Sequence, residues 1–103
     1  MIDSESSSSD FNDFRNPDEV KIIERVVSGE IRAIKQLFKK YKEMVLTISQ
    51  RYVDREVSTE LRIIVGNDGL LNAAKRYHDT KGFNFSAYAS WWISNSFKEG
   101  LPS

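Results

Sequence analysis

The chain has 103 residues, enough for one domain, and its fifteen Lys and Arg balance fifteen Asp and Glu, so net charge points to no class of partner. It holds no cysteine and one histidine, which excludes disulfides and thiolate chemistry, leaves a zinc site little but carboxylates to draw on, and gives no cofactor to expect. No run nears the ~18 apolar residues of a membrane span, and the N-terminus lacks a basic start followed by an apolar stretch, so the expected location is the cytoplasm, with no membrane partner.

Residues 1–15, opening MIDSESSSSDFNDF, are acidic and serine-rich with little to bury, and they predict a disordered tail before a helical domain over 16–103. Asn16-Pro17-Asp18-Glu19 is a helix start: Asn16 suits the N-cap, Pro17 the first turn, and Glu19 the reaching-back position of a capping box. Val20, Ile23, Val26 and Val27 follow at helical spacing until Ser28-Gly29 interrupts them.

A longer helix is predicted from about Glu30 to Val53. Its apolar stripe is Ile31, Ile34, Leu37, Phe38, Tyr41, Val45, Ile48 and Tyr52, while Lys35, Lys39, Lys40, Lys42 and Arg51 fall mostly outside it. After the polar turn 54–56, Ser58 or Thr59 can cap a third helix carrying Leu61, Ile64, Leu70, Leu71, Ala74 and Tyr77. Gly66 and Gly69 lie inside that helix, where a glycine is kept to let a neighbour approach closely. Residues 78–82 read as a turn, Ser86 as the cap of a fourth helix to about Glu99, and Gly100 with Pro102 as its end. With no strand alternation and no repeat, the predicted fold class is all-α, a compact bundle of four helices.

The fourth segment, FNFSAYASWWISNSF, holds six of the chain's twelve aromatic residues. Phe85, Tyr88 and Trp92 lie on one helical stripe with Ala89 and Ile93, and Trp91 is rotated about 100° from Trp92. One stripe cannot bury all of these rings, so part of the aromatic surface should be exposed. By periodicity alone the two tryptophans read first as rings that weld two helices together, since aromatic stripes at helical spacing are usually core. Exposed rings beside Lys75, Arg76, Lys81 and Lys98 would suit single-stranded nucleic acid, whose bases stack on aromatic faces.

The stretch GNDGLLNAAKRYHDTKGFNFSAYASWWISNSF resembles region 2 of the sigma-70 family of bacterial RNA polymerase sigma factors. Gly66, Asn67, Gly69, Leu70, Tyr77, Gly82, Phe85, Ser86, Tyr88, Ala89, Trp91, Trp92 and Ile93 match the family pattern, and the likeness extends over about residues 18–98. It implies a transcription-initiation factor that recognises and melts the promoter −10 element, with no bond chemistry of its own. Tyr88 would stack on a flipped base of the single-stranded non-template strand, and Trp91 and Trp92 would prop the upstream edge of the bubble. Tyr77 and Lys81 would shape the flipped-base pocket, Ser86 would lie near a second flipped base, and Arg76, Phe85 and Asn95 complete the DNA-binding set. The implied protein partner is core RNA polymerase, through the clamp of its largest subunit.

Several positions depart from the family. Leu61, Ile64 and Val65 replace an acid, an amide and an acid on the helix that docks on polymerase, and Asn67 alone keeps the family's polar type there. Ser94 and Asn95 replace an Arg-Gln pair that helps read duplex bases. Tyr41 stands where many members have an asparagine, and His78, expected to be solvated or a phosphate neighbour, replaces an acid. The sequence ends at Ser103 without a helix-turn-helix for the −35 element. Two expectations follow: the sequence is a fragment of a longer protein, or it is a stand-alone sigma-like co-factor or decoy regulator that acts through protein contacts, with a separate −35-binding protein or an anti-sigma factor as its partner. An enzyme is not expected, because no carboxylate pair, nucleophile–base set, phosphate loop or metal cluster stands out.

Overall fold

The computed structural model describes residues 16–80 and 82–100, so the predicted tail lies outside the described residues. Among them, four α-helices follow one another, α1 (Pro17–Val27), α2 (Ile31–Tyr52), α3 (Thr59–Arg76) and α4 (Phe85–Gly100), with a 3-10 turn at Tyr77–Asp79 and no strand. The all-α four-helix reading holds.

α1, α3 and α4 start where a side chain accepts from their free N–H groups, whereas α2 follows Glu30 with no side-chain cap. Asn16 caps α1 by accepting from the N–H groups of Asp18 at 2.9 Å and Glu19 at 3.3 Å, and Pro17 occupies the first turn. Glu19 does not reach back to complete a capping box. Its side chain is buried, takes the Tyr41 hydroxyl as donor, and lies 2.8 Å from the Lys40 ammonium. A carboxylate facing a core needs such partners more than the helix end needs a second cap.

Gly29 at φ 92° ends α1 in the left-handed region, which glycine enters without a Cβ penalty. Ser58, rather than Thr59, caps α3 by accepting from the Leu61 N–H at 3.1 Å. Arg62 then pins the turn before it, donating to the carbonyls of Asp54 and Val57 and to the Ser49 hydroxyl at 2.7–3.0 Å. Asn84, not Ser86, stands at the start of α4. Its side-chain oxygen accepts from the Ser86 N–H at 2.9 Å and from the Ser86 hydroxyl at 2.5 Å, so the expected cap is itself held by the residue two before it.

Leu37 and Val45 of α2, Leu70 and Ala73 of α3, and Phe85, Ala89, Ile93 and Phe97 of α4 form the centre of the core. Gly69 lets α3 and α4 meet backbone to backbone: a Cβ there would fall 2.8 Å from the Ile93 Cα and 2.9 Å from the Trp92 carbonyl oxygen. Gly66 makes room on the α2 side for a side chain, since a Cβ there would overlap the buried Val45 side chain. The predicted third-helix stripe holds only in its second half. Leu70, Ala74 and Tyr77 are buried, whereas Leu61 is 40 % and Ile64 65 % exposed.

Candidate nucleic-acid interface

The spacing of α4 decides which rings remain outside. Phe85, Ala89, Ile93 and Phe97 recur every four residues and are all buried, so the core-facing stripe is this one. Tyr88 and Trp92 are displaced to its flank and are half-buried, and Trp91, a further 100° around the helix, is 60 % exposed.

Contact among the rings is continuous. Tyr41 and Phe85 meet at 5.5 Å, Phe85 and Tyr77 at 5.1 Å, Tyr77 and Tyr88 at 6.0 Å, Tyr88 and Trp92 at 6.3 Å, and Trp92 and Trp91 at 5.2 Å. Four of the five pairs meet edge to face, with interplanar angles of 66–87°. That geometry suits the ring quadrupoles and fixes Trp91 by its neighbour without covering it. Arg76, at the end of α3, holds its guanidinium 5.4 Å above the Trp92 ring, so a cation lies within the aromatic row.

Arg76, Tyr77, Phe85, Tyr88, Trp91 and Trp92 are thus brought together, but they divide by accessibility. Tyr77 and Phe85 are buried, and the Tyr77 hydroxyl donates to the Phe83 carbonyl at 2.5 Å. Neither ring presents a face to a ligand: Tyr77 packs against Tyr88, and Phe85 packs against Tyr77. Ser86 is half-buried with its hydroxyl engaged by Asn84, and Lys81 lies outside the described residues. Lys98 does not join the cluster: its ammonium sits 5.5 Å over the Tyr52 ring, and ten residues of α4 separate it from Tyr88, about 15 Å along the axis. Lys75 is exposed in the last turn of α3.

Phe83 was the residue that sequence reading left out of the site. It is 59 % exposed and immediately precedes the Asn84 cap. Its signal was present in the alternation of FNFS, where Phe85 goes inward and the neighbour two residues earlier does not.

On the other side of Trp92, α3 and α4 border an open groove of about 430 Å³ that includes Ile64, Val65, Asp68, Trp92, Asn95 and Glu99. Asn95 therefore lies in this groove, apart from Tyr88. Of the four expected polymerase-docking residues, Leu61 and Ile64 are exposed, Val65 is half-buried against the core, and Asn67 is half-buried. His78 is exposed beside Asp79 at 3.2 Å.

Tyr41 sits beneath the row. Burial first, and then the bond to Glu19, hold its phenol protonated well above the ordinary tyrosine range. Among the described residues no group of His, Cys, Asp and Glu could hold a metal ion, and no helix is long and apolar enough to cross a membrane.

The family described as Sigma-70 region 2 matches residues 37–101. Over 84 residues, 82 % of this chain, the sequence is 34 % identical to the RNA polymerase sigma factor SigA of a Bacillus species and 36 % identical to the RNA polymerase sigma factor RpoS of Coxiella burnetii. It is 33 % identical to SigA of Listeria monocytogenes over the same length. The chain spans 22–24 % of the length of these relatives.

Proposed function

Because the chain belongs to the sigma-70 family, to its region 2, we propose that it serves RNA polymerase as a −10-recognition module, binding core polymerase and the single-stranded non-template strand of the promoter. The observation that carries this reading is the exposed Trp91 ring held edge to face on Trp92, with the Arg76 guanidinium over the Trp92 ring. Every base has a π-face, and stacking on an aromatic ring contributes about 1–3 kcal/mol per base. Pulling a base from the duplex costs a few kcal/mol. A ring already fixed by its neighbours loses little conformational entropy when the base arrives, so stacking can offset much of that cost.

In this reading Tyr88 receives a flipped base from above, with Tyr77 and Phe85 as its support. Trp91 and Trp92 abut the last paired step, and Arg76, Lys75 and Lys81 neutralise phosphates. The work is binding coupled to strand separation, carried out in the cytoplasm, with no bond made or broken by the protein.

The test is a titration of a fluorescent −10 oligonucleotide, as the non-template single strand and as duplex, with and without core polymerase. Tighter binding of the single strand is expected. Equal affinity for both forms, unchanged by polymerase, overturns the reading.

A second reading is favoured by the exposure of Leu61 and Ile64, where the family resemblance implies polar groups: a regulator that keeps the fold and acts through an altered protein contact. Failure to bind core polymerase under conditions where a full-length sigma factor binds would favour it.

A further inference from the structure

The outer face of α2 carries a row of cations that the aromatic site does not use. Arg32, Lys35, Lys39 and Lys42 are separated by steps of three, four and three residues, so they share one side of the helix over about 15 Å. All four are exposed, and among the described residues none meets a carboxylate at ion-pair distance. The neighbouring Lys40 differs, being committed to Glu19. Nearby acids are few. Glu30 is held by Arg25, and Glu43 is the single acid between residues 31 and 45.

The row points away from α4. Tyr41 of α2 touches Phe85, and Lys39 lies two residues before Tyr41, about 160° around the helix. The middle of the row therefore faces the side of α2 opposite the Tyr41–Phe85 contact. Like charges at these spacings repel one another within the helix, and a bound polyanion relieves that repulsion.

We infer that this face of α2 is a second nucleic-acid surface, which binds the phosphodiester backbone without reading sequence. A protein partner fits it poorly, because protein interfaces are depleted in lysine and anchored by aromatic side chains, and none interrupts the row. The exposed apolar residues nearest it, Val27 and Ile31, lie at its N-terminal end rather than within it. A membrane surface also fits poorly, since an interfacial helix must offer lipid an apolar face and that of α2 is spent on the core. Lysine ammoniums on flexible stems are point-charge phosphate binders, and backbone contact needs nothing more.

The inference stands apart from the α4 reading and is tested separately. Lys35→Gln, Lys39→Gln and Lys42→Gln are combined in the full chain, and binding of mixed-sequence DNA is measured from about 50 to about 200 mM salt, once as duplex and once as single strand. If each lysine holds one phosphate, the log–log salt slope becomes shallower by about 2.7 on duplex or by about 2.1 on single strand, and the arm that changes names the form bound. The loss is the same for any base sequence, and circular-dichroism melting is unchanged. Trp91→Ala, by contrast, lowers single-strand affinity at constant slope if the α4 reading is right, so either reading can fail alone. Unchanged slopes in both arms overturn the inference. So does loss of binding to an acidic polypeptide with DNA binding intact, which would assign the row to a protein.

Discussion

Gly69 of α3 lies so close to Ile93 of α4 that a Cβ on the glycine would stand 2.8 Å from the Ile93 Cα. The obstacle is backbone, which no rotamer change removes. Gly69→Ala is therefore expected to push the two helices apart and destabilise the domain by about 1–3 kcal/mol, despite alanine's better helix propensity. Thermal unfolding followed by circular dichroism measures the loss. An unchanged or higher Tm would show that α4 can slide along α3 at no cost.

Glu19 and Tyr41 join α1 to α2 through a buried hydrogen bond. Tyr41→Phe leaves that carboxylate with Lys40 but without its buried donor, and should lower stability by about 1.5–3 kcal/mol in denaturant titration.

The same pair gives a pH dependence with a definite sign. Burial and Glu19 raise the folded-state pKa of Tyr41 above its unfolded value, so the folded chain binds more protons once the unfolded tyrosine ionises near about 10. The contribution is fully present below that pH and is lost as pH rises above it. Tm measured through that alkaline range should fall more steeply for the wild type than for Tyr41→Phe.

Tyr88 is half-buried and Trp91 is largely exposed, so their substitutions should separate folding from binding. Trp91→Ala is expected to leave the fold within about 0.5 kcal/mol of wild type while losing about 1–3 kcal/mol of single-strand affinity. Tyr88→Ala should lose a similar affinity and some stability through its contacts with Tyr77 and Trp92. Melting curves paired with fluorescent-base titrations read both effects. A Trp91→Ala variant that melts early but binds normally would make the ring structural.

Leu61 and Ile64 are exposed on α3, and polar side chains there should be tolerated. Leu61→Asp with Ile64→Gln, which introduces the polar types that the family resemblance implies there, is expected to leave Tm nearly unchanged and to raise affinity for core polymerase in a pull-down titration. Tight binding by the wild type, lost in the double variant, would mean that the partner prefers the apolar face.

Much of this protein was legible in its sequence because the signals were local. Asn16-Pro17 and Ser28-Gly29 bracket α1 by capping chemistry that acts within one turn, and the stripe from Leu37 to Ile48 sets α2 by period alone. The aromatic run with paired tryptophans likewise announced both a family and an exposed surface. What the tertiary structure decided is which side of each helix had a neighbour. Glu19 reads as a capping residue until Tyr41, twenty-two residues away, supplies a buried donor. Leu61 and Ile64 fall on the third helix's apolar stripe and also read as a partly exposed docking surface; they stay exposed because α3 turns its other face, cleared by Gly66 and Gly69, toward α2 and α4. Phe85 and Tyr88 share an aromatic run, yet the four-residue spacing that buries Phe85 leaves Tyr88 on the flank. Propensity and capping act within one turn of chain, whereas burial depends on what the rest of the chain places alongside.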